Sequence, residues 1–196
     1  MIKIGILGDI GSGKSYIAKK FGCPVFDADL EVKKIYKNDK RCFKKIKRII
    51  PKHIFSFPIN KKEIGKAILA NNSNLKKIIK IVHPIIRIKM NNFLKKNKNK
   101  KIVVLDIPLL VENKINNKNY ILIFVKAKKK DIIKRLKKRK NYNEKIFRKL
   151  KKLQLPLEIK KKKSNYIINN NFKSFYIKKN VKILKRKILK NEGNCS

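Results

Sequence analysis

The chain has 196 residues, 56 Lys+Arg against 12 Asp+Glu, a formal net charge of +44 and 42% hydrophobic residues. At roughly 100–200 residues per domain this is one globular unit with room for inserted subdomains. No uncharged apolar run approaches the roughly 18 residues that a bilayer span needs, and the N-terminal apolar stretch breaks at Gly8-Asp9, so a secretory leader is not expected.

The three cysteines, Cys23, Cys42 and Cys195, are odd in number and match neither a disulfide framework nor a zinc spacing. Free thiols in a reducing, cytoplasmic setting are the expectation. The charge has two readings. Lys and Arg neutralise phosphates, so +44 suits a nucleic-acid partner. The chain is also rich in Lys, Ile and Asn and has no Trp or Thr, the pattern that A- and T-rich codons impose. The positive charge runs along the whole length instead of gathering in one arm, which favours composition over a binding patch. No specific nucleic-acid partner and no membrane partner are expected. Nonspecific attraction to polyanions is.

Residues Ile2 to Leu7 read as a short buried strand closed by Gly8, and Lys14 to Phe21 as a helix. Pro24-Val25-Phe26 reads as a second strand, followed by Asp27-Ala28-Asp29 and a helix to about Tyr36. Between Lys40 and Lys100 apolar residues recur at helical spacing (Ile64, Ile68, Leu75, Ile78, Ile79, Val82), with breaks expected at Pro51, Pro58 and Pro84. Ile102–Leu105 and Tyr120–Val125 read as core strands, Asp131–Lys138 as a helix, and a basic helical segment runs on to Gln154. Tyr166–Ile168 is a last strand, a closing helix covers about Lys173 to Lys190, and Asn191 to Ser196 are expected to fray. Strands alternating with helices imply an α/β protein with a parallel sheet and right-handed crossovers.

Gly8-Asp9-Ile10-Gly11-Ser12-Gly13-Lys14-Ser15 fits G-x-x-x-x-G-K-[ST] at every fixed position, with an apolar strand before it and a helix after it. The glycines let the backbone curl into a nest for a triphosphate, Lys14 is expected to reach the β- and γ-phosphates, and the Ser15 hydroxyl to sit on Mg²⁺. The plain alternative is a Gly-rich turn with a helix cap. Three of the chain's 7 glycines fall within six residues, which speaks for the phosphate loop.

Asp27 and Asp29 follow the second strand, where alternation would send both to one side, at the strand ends where ligands bind. Either could take a substrate proton or hold a metal through water. Equally, Asp29 could cap the next helix while Asp27 makes a turn. Asp106 ends an apolar strand, at a position resembling the metal-holding Walker-B aspartate. Glu112 reads as a surface or capping residue. Pro84 can open a helix, which would put His83 at its N-cap with Arg87 one turn on. A capping His and a solvated Arg is the bland version. Arg135 and Arg139 lie one turn apart on a basic helix and could screen charge on a transferred phosphoryl group, or simply form a solvated face.

Together these segments resemble the dephospho-coenzyme A kinase family. The resemblance is carried by Gly8 to Ser15, Pro24-Val25-Phe26-Asp27-Ala28-Asp29, His83-Pro84-Ile85-Ile86-Arg87 and Val103 to Glu112. Arg135, Arg139, Gln154 and Tyr166-Ile167-Ile168-Asn169-Asn170 extend it. It implies a three-layer α/β P-loop kinase fold with a parallel five-stranded sheet. Residues 1–38, 97–135 and 164–196 would form the nucleotide-binding core, 39–96 a helical acceptor-binding insertion and 136–163 a basic helical lid. It implies transfer of the ATP γ-phosphoryl to the ribose 3′-hydroxyl of dephospho-coenzyme A, with Mg²⁺ as cofactor.

By matching positions, Asp29 is the base, Lys14 and Arg139 act on the phosphates, and Gly8, Ile10, Gly11, Ser12, Gly13, Lys14, Ser15 and Tyr16 bind the nucleotide. Asp29, His83, Arg87 and Asp106 shape the acceptor site, and Ser15 with Asp106, the latter indirectly, holds the metal. The alternatives are another small P-loop kinase for a nucleotide or metabolite, a nucleic-acid-binding protein and a silent nucleotide binder. The chain departs from the family at Asp9, where a small residue is usual and an acid should repel the triphosphate unless it points away. It also departs at Tyr16, where Thr is usual, and at Ser164-Asn165, for a common Ala-Asp.

Overall fold

In a computed structural model the described residues are 1–108, 110–112, 119–139 and 142–193. Five strands form one all-parallel sheet: β1 (Ile2–Gly8), β2 (Val25–Asp27), β3 (Ile102–Asp106), β4 (Tyr120–Lys126) and β5 (Tyr166–Asn169), in the order β2-β3-β1-β4-β5. Strand β1 is central, with Ile2 beside Ile102 and Ile4 beside Val104 on one side, and Gly5 beside Leu122 on the other. Strand β3 is buried along its whole length. A strand covered on both faces cannot alternate polar and apolar residues, which is why these segments read as continuous apolar runs.

Two compact units emerge. One comprises Met1–Phe26, Asn99–Tyr142 and Gln154–Ser196, and the other Asp27–Lys98 and Asn143–Leu153. In the sheet unit, one face of the sheet is covered by α1 (Lys14–Lys20) and α9 (Ser174–Gly193). There Ile4, Ile6 and Val104 pack with Ile17, Phe21, Ile177 and Val181. On the opposite face Gly5 lets the side chains of Leu110 and Leu122 lie against the strand, where any Cβ would collide with both. Helix α8 (Leu157–Lys162) packs against β1, and α6 (Lys129–Lys137) follows β4.

The helical unit contains α2 (Ala28–Asn38), α3 (Lys40–Ile49), α4 (Lys61–Ala70), α5 (Asn72–Lys96) and α7 (Glu144–Lys151). Asp39, Asn60 and Asn71 cap α3, α4 and α5 by accepting backbone N–H groups, as short polar side chains do at helix starts. Lys149 of α7 donates to the carbonyls of Ile68 (2.7 Å) and Leu69 (3.1 Å), closing the C-terminal end of α4 with a cation. Within the 136–163 segment, α7 belongs to the helical unit and α8 to the sheet unit.

Several expectations need correction. Pro84 neither breaks nor opens a helix: it lies inside the 25-residue α5. Proline removes one backbone donor, but Leu75, Ile78, Val82, Ile86 and Met90 form a buried stripe that runs straight past it, and packing of that stripe outweighs the local defect. The closing helix continues to Gly193, past the expected end near Lys190, and Asn194 to Ser196 lie outside the described residues. Cys23 and Cys42 are free. Burial first, and the charge of Asp39 second, push the Cys42 thiol up to about 11, so it stays protonated. Cys195 is outside the described residues. Among the described residues no helix is long and apolar enough to cross a membrane.

Ile123 is fully enclosed at the middle of the sheet. Ile123→Ala should cost about 2–5 kcal/mol and Ile123→Val about 0.5–1.5 kcal/mol, read as a drop in the urea midpoint at unchanged slope.

Candidate active site

The loop between β1 and α1 is shaped by glycines. Gly8, Gly11 and Gly13 have φ of 145°, 85° and 93°, a region that side chains with a Cβ rarely adopt. The turn is closed by Ser12 N–H donating to the Asp9 carbonyl at 3.2 Å, and Gly13 caps α1 in the left-handed conformation. The Lys14 ammonium lies within the curve, donating to the carbonyls of Asp9 at 2.8 Å and Gly8 at 3.3 Å. Ser15 and Tyr16 follow in the first turn of α1 and are exposed. The Tyr16 hydroxyl bonds Ser174 Oγ at 2.6 Å, and the Lys20 ammonium sits over its ring. The Asp9 carboxylate is buried and accepts the N–H of Ile10 at 2.7 Å, which ties its charge to the start of the loop.

The loop is also held from outside. Asn170, buried just past β5, donates through Nδ2 to the Ser12 carbonyl at 2.7 Å and accepts the Phe172 N–H at 2.8 Å. A Cβ on Gly13 would strike the Asn170 carboxamide. Phe172 has φ 61° and carries the Arg135 guanidinium over its ring at 4.4 Å, a cation–π contact. The motif alone does not reveal this outer brace. Its one trace in the sequence is the run Asn169-Asn170-Asn171 closing an apolar strand. Arg139 lies beyond the C-cap of α6, not on the helix with Arg135. Its N–H donates to Leu136 and its carbonyl accepts from Tyr142, and its side chain is exposed.

Asp106 ends β3 and is buried, 4% exposed. Glu112 is not a surface or capping residue. Its carboxylate is buried against Lys160, Oε1 lying 2.7 Å from Nζ, and the same oxygen accepts the Leu155 N–H at 3.0 Å. Asn165, at the family's usual Asp position, exchanges two 2.8 Å bonds with Leu122, side chain accepting and backbone donating, and so starts the β4–β5 ladder.

β-strand alternation does not govern the pair of aspartates, because β2 ends at Asp27 and Asp29 already lies in α2. Asp27 is the N-cap of α2 and accepts the Leu30 N–H at 2.9 Å, while Asp29 is exposed in the first helical turn. The cap is therefore Asp27, the reverse of the sequence alternative. His83 and Arg87 lie one turn apart in mid-α5, so His83 is not an N-cap. Burial, and secondarily the Arg87 cation, lower the His83 pKa from 6.5. The imidazole is therefore neutral at neutral pH. An unfolded His takes a proton more readily than the folded one, so this group's stabilisation is complete above 6.5 and is lost as pH falls through its lowered value.

Two outcomes follow. Gly13→Ala should reduce nucleotide affinity by about 10²-fold, because it meets both a forbidden φ and Asn170. A titration of ATP against purified variant and parent checks this. In NMR titration His83 should ionise below 6.5, and Arg87→Ala should raise its pKa without restoring the free value, since burial is the larger cause.

The model of a family described as dephospho-CoA kinase matches residues 2–175. A dephospho-CoA kinase of Wolbachia sp. subsp. Brugia malayi (strain TRS) is 32% identical over 184 residues, covering 91% of this chain and 94% of that one. A crystal structure of a Thermus thermophilus protein superposes with TM-score 0.75 at 25% identity, covering 96% of this chain and 97% of that one. A dephospho-CoA kinase from Campylobacter jejuni shares the fold, with TM-score 0.62 at 21% identity and coverage of 95% and 96%. The match spans the phosphate loop, the whole helical unit and the chain beyond β5, and on that ground the chain belongs to the dephospho-CoA kinase family.

Proposed function

We propose that this kinase transfers the γ-phosphoryl group of ATP to the ribose 3′-hydroxyl of dephospho-coenzyme A, giving coenzyme A and ADP. The observation that carries the reading is the family match over residues 2–175, which takes in both a complete phosphate loop and the His83–Arg87 segment of α5. In this reading residues 39–96 bind the acceptor and residues 136–163 form the lid.

The chemistry asks for a base at the hydroxyl and positive charge at the phosphates. Asp29 is the base: an exposed carboxylate two residues past β2. It takes the proton as the ribose oxygen bonds to phosphorus and the β–γ bridge breaks, the electron pair leaving on ADP. Lys14, inside the curve of the loop, neutralises the β and γ oxygens, and Arg139 adds charge on the transferred group. The backbone of Gly8, Ile10, Gly11, Ser12 and Gly13, with Ser15 and Tyr16, cradles the nucleotide. Asp29, His83, Arg87 and Asp106 hold the acceptor. A neutral His83 offers one donor and one acceptor to it, and Arg87 a bidentate fork for its phosphates.

The donors available for a metal are a Ser15 hydroxyl and an Asp106 carboxylate, both hard oxygens, and no cluster of three or more acidic, His or Cys side chains occurs among the described residues. That set fits Mg²⁺, which binds through one or two protein oxygens plus substrate phosphates. Ser15 would hold it directly and Asp106 through water. When bound, the ion supplies neutralisation of the phosphate oxygens.

The test is ADP release by purified protein with Mg-ATP and dephospho-coenzyme A, beside AMP, CMP, adenosine and no acceptor, with the product mass checked. Release that depends on dephospho-coenzyme A is expected, and turnover with another acceptor only would overturn the substrate assignment. Asp29→Asn should keep ATP affinity and lower kcat by about 10²-fold or more. Near-parental turnover would remove Asp29 as the base.

A further inference from the structure

The described residues of the sheet unit include a buried ion pair that the phosphate-transfer scheme does not use. Lys160 of α8 is 2% exposed, and its ammonium lies 2.7 Å from Glu112 Oε1. The same oxygen accepts the Leu155 N–H at 3.0 Å. One carboxylate oxygen thus grips the segment Gln154–Lys162 at two points, the turn before α8 and the helix itself. Glu112 also ends the stretch that leaves β3 at Asp106. Within that stretch Ile107, Leu110 and Val111 are buried, and Leu110 lies against Gly5 of β1, the strand on which α8 also packs. The Asp106 end of β3 is therefore fixed behind by the sheet and ahead by Glu112. Gln154, where the chain re-enters the sheet unit after α7, is fixed through its neighbour Leu155.

A buried ion pair is a weak source of stability. Among the described residues, Glu112 Oε2 and Gln154 Oε1 are buried with no hydrogen-bond partner. A brace serving only to hold the fold gains from satisfying such atoms, or from replacing both charges by apolar groups of equal volume. What a buried carboxylate–ammonium pair adds is directional placement of the two segments it joins.

We propose that Glu112 and Lys160 are positioning residues for phosphoryl transfer, holding the Asp106–Glu112 segment and the Gln154–Leu155 turn in fixed relation. This rests on the kinase reading above. Neither residue touches the reacting atoms. Both act through Asp106 and through the chain returning from α7.

The experiment compares parent, Glu112→Gln, Lys160→Met, the double variant and Lys160→Arg. It reads thermal melting, steady-state kinetics and amide hydrogen exchange over residues 103–112 and 153–160. Each single neutralisation strands a buried charge and should lower the melting temperature. The double variant removes both charges at near-constant shape and should melt close to the parent. Its kcat should still fall by about tenfold or more, with KM for ATP within about twofold of the parent, and exchange should rise in both segments. Lys160→Arg keeps the charge and should retain parental kcat.

A double variant with parental kcat, or losses of kcat that simply follow melting temperature across the series, overturns the proposal. If the double variant does not fold, Lys160→Arg and Glu112→Gln decide it. Equal kcat in those two at equal folded fraction overturns it, and selective loss in Glu112→Gln supports it. The parent is assayed first. If it shows no dephospho-coenzyme A-dependent turnover, the kinase reading has failed, and exchange alone, faster in both segments or unchanged, then supports or overturns the joint placement of the two.

Discussion

A buried carboxamide braces the phosphate loop from outside its own sequence. Asn170 donates to the carbonyl of Ser12 and accepts from Phe172, and it occupies the space that a Cβ on Gly13 would need. Glycine lets the loop adopt positive φ, but permissiveness does not choose one conformation. An outer contact does, because a buried amide with both ends satisfied has one orientation. The sheet order makes the contact available. Strand β5 must run parallel to β4, next but one to β1, for its exit to arrive beside the loop that β1 begins. The loop depends on a strand more than one hundred and fifty residues away in sequence.

The second constraint is the scarcity of acid: 12 carboxylates serve 56 basic side chains, so most Lys and Arg have no acid to pair with. Asp27 and Asp39 cap helices. Glu63 gathers the Ser56 hydroxyl and the Phe55 N–H. Glu112 takes the buried Lys160. Cationic groups compensate elsewhere by binding carbonyls, as Lys149 does on α4, Lys185 on the Phe21 carbonyl that ends α1, and Lys14 inside the loop. A lysine donating to the last carbonyls of a helix uses the helix's own negative end as its partner, a solution open to a chain with few acids to offer.

How much of this could be read from residues alone varied with the range of the deciding interaction. Strands β1, β3 and β4 were legible because burial on both faces leaves an apolar run. The loop was legible because its glycines are a backbone requirement. Pro84 was misread because the local rule for proline ignores a stripe of five buried residues spread over the length of α5. For Asp27 and Asp29 neither open reading matches: alternation holds only while a strand lasts, β2 stops at Asp27, and Asp27 instead of Asp29 is the cap. Glu112 carried no local sign of its role, since its partner Lys160 sits in a Lys-rich run where no one lysine stands out. The roles of Asp29, His83, Arg87 and Arg139 came from resemblance, and their spacing alone left the bland readings open.

The bond between Tyr16 and Ser174 has an optical consequence. The chain has no Trp and 6 Tyr, so its near-ultraviolet emission is dominated by phenol rings. Tyr16 stands two residues past the loop lysine, its hydroxyl shared with Ser174 and its ring facing the Lys20 ammonium. Phenol emission is sensitive to what its hydroxyl bonds. This chain therefore carries, in its own first helix, an unlabelled reporter beside the phosphate loop, with no indole to drown it.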